Sequence, residues 1–458
     1  MKLIHNWTEQ HIKFTSTLFR ELENGGIRYF ILRNYEKLPE QNLGKDIDIV
    51  IEPKSYDKTK NILLKVMAML DIHYYQITQF DRMRCWYIMD NKKHFGIHID
   101  IIENEVYKGF EFFSFERLYR NVEKYNGFYV LNKTMDTVML LVQNIVAYKS
   151  LKDKYCTTIA NNYTQFKDEI DKEIINFWGK SLGETMVGCL SRLDFDSIVE
   201  NAHKYESGAM KNIFLKRPFY TLYGILRFLC GKIYRVILCP KKFWRFIAVE
   251  APDGTGKTTF INSLVTELRK YYVSDEGRFC IHHFRPLILP NLGAVGEKAG
   301  IMKQDTDFSK PHRAKPAGMI SSFIRILYYW IDYVIGIPLL LRKEVHYERY
   351  TIFDRYIYDF LVDPKRSRIN LPQWIRLLFT RFVIQPQIVF VLLADAEVIY
   401  KRKQELTKEE ISRQLVEFRK LKSIGERVVF IDANQDIDTM VNQATEIIIN
   451  RFLNKVEI

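Results

Sequence analysis

Two sets of residues in this chain have types and spacing suited to phosphate chemistry. The first is the run Phe246-Ile-Ala-Val-Glu-Ala-Pro-Asp-Gly-Thr-Gly-Lys-Thr-Thr259. An apolar strand pattern passes into a glycine-containing turn, then into an amphipathic helical pattern from Phe260. Gly254 and Gly256 admit backbone angles that other residues resist, so consecutive N–H groups can converge on phosphate oxygens at a helix N-terminus. The expected ATP-binding residues here are Asp253, Gly254, Thr255, Gly256, Lys257, Thr258 and Thr259. Lys257 would reach the β- and γ-phosphates and Thr258 would ligate Mg2+. The G-x-x-x-x-G-K-[S/T] pattern is met except at its first position, where Ala251 is small enough to keep the loop.

The second set is acidic. Asp46-Ile-Asp48 lies in an alternating strand pattern that puts both carboxylates on one face, and His98-Ile-Asp100 repeats the arrangement. Three carboxylates converging there would hold two Mg2+ ions for in-line attack at an α-phosphate. Like charges that close are costly without a metal.

The elements that must position these groups fall into two halves. In the N-terminal half, strand patterns cover 28–32, 46–51, 85–89 and 96–102, and helical patterns 8–23, 56–70 and 134–150, an α+β layout. In the C-terminal half, strands at 246–250, 280–284, 351–354, 388–393 and 428–431 alternate with helices. That alternation predicts a mostly parallel sheet covered on both faces. The expected domains are 1–155, a helical extension 156–215, a basic amphipathic linker 216–244, and 245–458.

The 458 residues carry Lys+Arg 68 against Asp+Glu 55, a net charge of +13 that favours anionic partners. Eight Lys/Arg and no Asp or Glu fall in 216–245. Its apolar residues Leu222, Ile225, Leu226, Leu229, Ile233, Val236 and Ile237 recur at helical spacing, which suits a linker packed between domains or a helix resting on an anionic membrane. Charge gathered in one segment does not make a groove, so nucleic acid is not an expected partner. The six cysteines are scattered without a CxxC pair, which excludes a disulfide framework and the usual zinc spacings. No uncharged apolar run of about 18 residues spans a bilayer. The nearest candidate, 319–341, is interrupted by Arg325, Asp332 and Pro338, and Arg325 and Asp332 share a face on which they could ion-pair or line a pocket. Residues 1–9 lack the apolar stretch of a secretory signal, so the expected location is the cytoplasm, with peripheral attachment at the inner membrane face through 216–245.

The run Glu250-Ala-Pro-Asp-Gly-Thr-Gly-Lys-Thr258 resembles the phosphate loop of the thymidylate kinase family of P-loop nucleoside monophosphate kinases. Ile352-Phe-Asp-Arg-Tyr356 is similar to that family's strand ending in Asp-Arg, Phe284-Arg285-Pro286 to its acceptor-binding arginine, and Ile431-Asp-Ala-Asn434 to the loop beside adenine. The resemblance spans about 245–455. It implies Asp354 and Arg355 as catalytic residues with Lys257, and Asp354 as a metal ligand beside Thr258. It further implies Arg285 and Tyr356 at the acceptor, and Arg402, Arg413 and Asn434 on ATP. The sequence after Asp354-Arg355 departs from the family's usual one, so the acceptor is left as a nucleoside monophosphate or a sugar or polyol phosphate. Family members generally dimerise, and 321–341 suits such an interface.

Residues 20–155 resemble the nucleotidyltransferase superfamily with its Gly-Ser…Asp-x-Asp…Asp pattern. Asp46, Asp48 and Asp100 would then be catalytic metal ligands. Arg33-Asn34 replaces Gly-Ser; either these two hold the phosphate of a substrate, or the site only binds. Together the resemblances imply a kinase fused to a nucleotidyltransferase-like domain, two consecutive steps towards an activated surface-glycan precursor. The alternative is a kinase regulated by a non-catalytic nucleotide- or nucleic-acid-binding domain.

Overall fold

The structure is a computed structural model that describes residues 7–273, 276–290 and 317–456. The outer ends of the expected domains, 1–6 and 457–458, lie outside these residues. The chain divides into two compact units. The first comprises Met1–Lys232, Tyr271–Val273 and Asn454–Ile458; the second comprises Ile233–Lys270 and Ser274–Leu453. The division after Lys232 falls inside the basic segment.

The strands of the first unit are β1 (Tyr29–Ile31), β2 (Ile47–Ile51), β3 (Tyr74–Phe80), β4 (Met83–Asp90), β5 (Phe95–Ile102), β6 (Glu105–Tyr107), β7 (Phe110–Phe113), β8 (Val122–Tyr125) and β9 (Phe128–Leu131). Those of the second are β10 (Phe246–Glu250), β11 (Phe279–His283), β12 (Tyr350–Asp354), β13 (Ile388–Leu393) and β14 (Val428–Asp432). A last short strand, β15 (Asn454–Lys455), pairs with β3 of the first unit.

The first unit holds a mixed sheet of order β15-β3-β4-β5-β2-β1-β9-β8. Its central strand β2 is buried throughout, because helices cover both faces. Ile47, Ile49 and Ile51 pack with Phe14, Leu18 and Leu22 of helix Glu9–Asn24 and with Leu63, Val66 and Met67 of helix Tyr56–Met69. Val50, one register step away, packs on the opposite side with Val138, Met139 and Leu141 of helix Lys133–Leu141. Asp48 shares the Val50 face. The helix is capped by Asn132, whose side chain accepts from the Met135 N–H at 2.9 Å. It then loosens into the π-helical turn Val142–Tyr148, a geometry common at functional sites. Strand β3 has no clean alternation, its Gln76 being buried while its ends are half-exposed, which is why the periodic pattern misses it.

The second unit is built on a parallel sheet of order β11-β12-β10-β13-β14. β10 is central and fully buried, flanked by β12 and β13. In this arrangement the carboxyl ends of β10, β12, β13 and β14 lie along one edge, where open α/β sheets place their ligands.

Helix Met319–His346 continues through Pro338. One face packs on the sheet through Ile326, Tyr329, Tyr333, Ile337 and Leu341, while Ile320, Phe323, Ile324, Ile335 and Leu339 are exposed. By length and composition this helix is apolar enough to cross a membrane, the single such helix among the described residues. Segment 218–232 is helical, with Thr221 its one buried residue and Phe219, Leu222, Tyr223, Leu226 and Leu229 exposed. The apolar residues at 233–238 continue as a π-helical turn.

Candidate functional site

Strand β10 delivers the phosphate loop. Gly254 and Gly256 both have positive φ, +87° and +92°. A Cβ at Gly254 would stand 2.9 Å from the Lys403 Cβ, while one at Gly256 would meet nothing within 4 Å. The second glycine is exposed and borders open space, so its positive φ and not crowding is what calls for glycine there. Thr255 is buried and donates its hydroxyl hydrogen to the Pro252 carbonyl at 2.8 Å, which closes the turn. Lys257 opens the helix Lys257–Tyr272, and Thr258 and Thr259 are exposed beside it.

The register Val249↔Asp354 brings the end of β12 to the loop, and the Lys257 ammonium forms an ion pair with Asp354. Asp354 also faces the His283 ring at 3.3 Å. Burial, reinforced by the charge of Arg355, pulls the Lys257 pKa down to about 7, against the opposing pull of Asp359 and Glu250. Anionic phosphates favour the charged ammonium. Binding of MgATP above about pH 7 is therefore expected to take up a proton on Lys257, and binding below pH 6 to take up none there. Titration calorimetry in two buffers of different ionisation enthalpy checks this; equal apparent enthalpies at pH 8 would contradict it.

Arg355 is the hub of a buried charge network. Its φ of +70° is unusual for a residue with a side chain and marks backbone held by its surroundings. Its N–H donates to the Val249 carbonyl at 3.0 Å. The guanidinium donates to both oxygens of Asp359, at 3.1 and 3.2 Å, and to Asp253 in the phosphate loop. Arg366 binds the second oxygen of Asp253. Burial opposes the charge on Arg355, but Asp359 and Glu250 leave its pKa raised. Glu250 and Asp359 are fully buried carboxyls pushed up by desolvation. Glu250 accepts the Tyr356 N–H at 2.7 Å. Asp359 and Arg366 were given no role from the sequence; the spacing of Arg355 and Asp359, one helical turn, was the available signal.

Tyr356 does not reach an acceptor site. It is 0 % exposed, its hydroxyl donates to the Ile384 carbonyl at 2.6 Å, and it belongs to the core with Phe246 and Phe353. An apolar β12 buried against the long helix draws the next aromatic residue inward. Arg285 is 4 % exposed and donates to Asp332 at 3.0 Å, under the Tyr329 ring. Asp332 also accepts the Leu289 N–H, so its partner is Arg285 and not Arg325 as the helical spacing suggested. Arg402 donates to the Ala433 carbonyl at 3.3 Å, and Asn434 accepts the Asp395 N–H at 3.2 Å, so both sit at the joined ends of β13 and β14. Arg413 is held by Glu410 and by the Val362 carbonyl.

In the first unit the pairing Asp48↔Asp100 between β2 and β5 brings the acidic residues together. Asp46, Asp48 and Asp100 each present an oxygen within 4.8 Å of the others. Arg33, at the end of β1, donates to Asp48 at 2.6 and 3.3 Å. Burial pushes the Asp48 carboxyl up to about 7 against the pull of Arg33. Arg33 also touches Gln143, which donates to the buried Glu105 at 3.2 Å, two residues the sequence reading left out. Asn34 accepts from Lys154 at 2.9 Å. Burial opposes ionisation of Asp100, but hydrogen bonds from His98 and Cys85 hold it below its usual range.

No protein-family model matches the chain. A segment is similar in sequence to the thymidylate kinase of Prochlorococcus marinus (strain MIT 9312), 27% identical over 223 residues, covering 46% of this chain and 98% of that protein. Among solved structures, the thymidylate kinase from Ehrlichia chaffeensis is matched at 15% identity and a TM-score of 0.30, over 44% of this chain and 97% of that one.

Proposed function

We propose that the second unit is an ATP-dependent phosphotransferase of thymidylate kinase type. It would pass the γ-phosphoryl group of MgATP to a nucleoside monophosphate or to a sugar or polyol phosphate. The observation that carries this reading is the convergence of Lys257, Asp354, Arg355 and Asp253 on the phosphate loop at the carboxyl ends of β10 and β12. The sequence similarity to a thymidylate kinase supports it.

Lys257 would neutralise the β- and γ-phosphates and Arg355 the charge on the group in transfer. Asp253 and Asp359 hold Arg355 in place before substrate arrives. Arg285, oriented by Asp332, would meet the phosphate of the acceptor. The donors are the hard oxygens that Mg2+ takes: Thr258 offers an exposed hydroxyl, and Asp354 a carboxylate whose Oδ1 is ion-paired to Lys257 and whose Oδ2 faces His283. Mg2+ held there would supply charge neutralisation at the phosphates.

For the first unit we propose a nucleotidyltransferase-like site on Asp46, Asp48 and Asp100, serving an activated glycan precursor. A second reading, a nucleotide-binding unit that regulates the kinase, is favoured by the Arg33–Asp48 pair, which places a guanidinium where a metal would neutralise that carboxylate. The assay is the purified chain with MgATP, MgCTP and a panel of nucleoside monophosphates, sugar phosphates and polyol phosphates. Nucleoside diphosphate and pyrophosphate are resolved, with Lys257→Ala and Asp46→Ala/Asp48→Ala as controls. No ADP with any acceptor would count against the kinase, and no pyrophosphate would favour regulation.

We also place membrane-surface attachment on the 216–245 segment, because helix Pro218–Lys232 exposes Phe219 at 88% and Tyr223 at 62% within an acid-free basic stretch. The chain is expected to co-sediment with vesicles containing phosphatidylserine and not with neutral ones. Phe219→Ser/Tyr223→Ser should weaken that binding about tenfold or more, given roughly 25 cal/mol per Å2 of apolar burial. Equal sedimentation with neutral vesicles would refute the electrostatic part.

A further inference from the structure

We propose that the acidic cluster of the first unit is built for one borderline-soft divalent cation, zinc-like in its preferences, held by Cys85, His98 and Asp100. The ladder puts these residues side by side. Cys85 of β4 is the antiparallel partner of Asp100 on β5, and His98 precedes Asp100 by two residues, so all three side chains leave the same sheet face. A sulfur, a ring nitrogen and a carboxylate oxygen from the three lie within 4.8 Å of one another. Tetrahedral ligands sharing one ion at about 2.0–2.3 Å stand roughly 3.3–3.8 Å apart, so side-chain shifts of about an ångström close the site.

The surroundings favour this ion over a pair of Mg2+. Cys85 and Asp100 are buried, and the His98 ring is stacked on Tyr87 at 4.2 Å between centroids, which fixes its plane. His98 Nε2 already aims at Asp100, at 2.9 Å. On the other side of Asp100, Arg33 gives Asp48 a fixed positive partner. One carboxylate of the acidic trio is thus neutralised by the protein itself, and the thiol and imidazole lie on the side left for a metal. Thiolate and imidazole donors suit Zn2+ or Co2+, whereas Mg2+ takes oxygen ligands and keeps its waters. Three protein ligands leave a fourth position open to water or an incoming phosphate. On binding, the Cys85 S–H bond breaks, its proton goes to solvent, and the electron pair forms the metal–sulfur bond. The proton between His98 Nε2 and Asp100 is likewise released to solvent, so that His98 binds through the Nε2 lone pair as the neutral Nδ1–H imidazole and Asp100 as carboxylate.

The test uses the full chain, stripped with chelator and titrated with Co2+ and Zn2+. One Co2+ per chain with a near-ultraviolet thiolate-to-cobalt band is expected. Cys85→Ser should abolish that band, and Cys280→Ser should keep it. Zn2+ affinity should fall at least about tenfold in Cys85→Ser and in His98→Gln, the range seen even for residues one shell removed. It should survive a large excess of Mg2+, and Asp46→Asn should retain it. A band that persists in Cys85→Ser, or its absence from the wild-type chain, overturns the proposal. If the variants do not fold, zinc-edge anomalous diffraction from soaked wild-type crystals decides: a peak between Cys85, His98 and Asp100 supports the site. A peak confined to Asp46 and Asp48, or none, overturns it.

Discussion

Lys257→Ala is expected to lower kcat/KM for phosphoryl transfer from MgATP by roughly 10²–10³-fold, the cost of removing one preorganised charge-stabilising donor. The residue is 9 % exposed, opens the helix that follows the phosphate loop, and is held on Asp354. Its ammonium is poised near neutrality because burial and Arg355 disfavour the charge, so it gains most when phosphate oxygens arrive. That gain grows as charge moves towards the leaving oxygen, which is why kcat should fall and not KM alone. Lys257→Arg is not expected to rescue, since a planar guanidinium cannot replace a compact ammonium on a short reach. The fold should survive, because Asp354 keeps its contact with His283. Initial rates and a thermal melt check both halves; wild-type kcat/KM in a folded Lys257→Ala chain would remove Lys257 from the mechanism.

Arg355→Ala should damage both activity and stability. Loss of a guanidinium on the transferring phosphoryl group costs roughly 10³-fold or more in kcat. Stability should fall by about 3–5 kcal/mol, the cost of breaking a buried ion pair from one side, because Asp359 is 1 % exposed and Asp253 loses a partner. The two effects separate in a double-mutant cycle. Asp359→Asn removes the carboxylate that Arg355→Ala strands, so Arg355→Ala/Asp359→Asn should recover much of the lost stability in a denaturant titration but none of the activity. Recovery of both would mean that Arg355 serves the fold alone.

The phosphate loop was legible in the sequence because its requirements are local. Glycines at 254 and 256, a lysine next, and apolar runs on either side specify a strand, a turn with positive φ and a helix without reference to the rest of the chain. The parallel sheet of the second unit was legible for the same reason, from alternating strand and helix periods. The nearness of Asp46 and Asp48 was legible too, although Asp46 stands in the bend before β2 and reaches Asp48 from outside the strand. The mixed sheet of the first unit was read only in part: β3 and the short strands from β6 to β9 carry patterns too brief or too irregular to stand out.

Partner choice was decided only by tertiary structure. Arg33 meets Asp48 because β1 and β2 pair in one register, and Asp253 meets Arg366 across 113 residues of sequence. Arg285 takes Asp332 away from Arg325, and Tyr356 turns into the core. Cys85 looked like a scattered cysteine until the β4–β5 register set it opposite Asp100. Sequence determines which side chains share a face of one element; which faces meet depends on register and packing between elements, and buried charges then pair with whatever those contacts bring within reach.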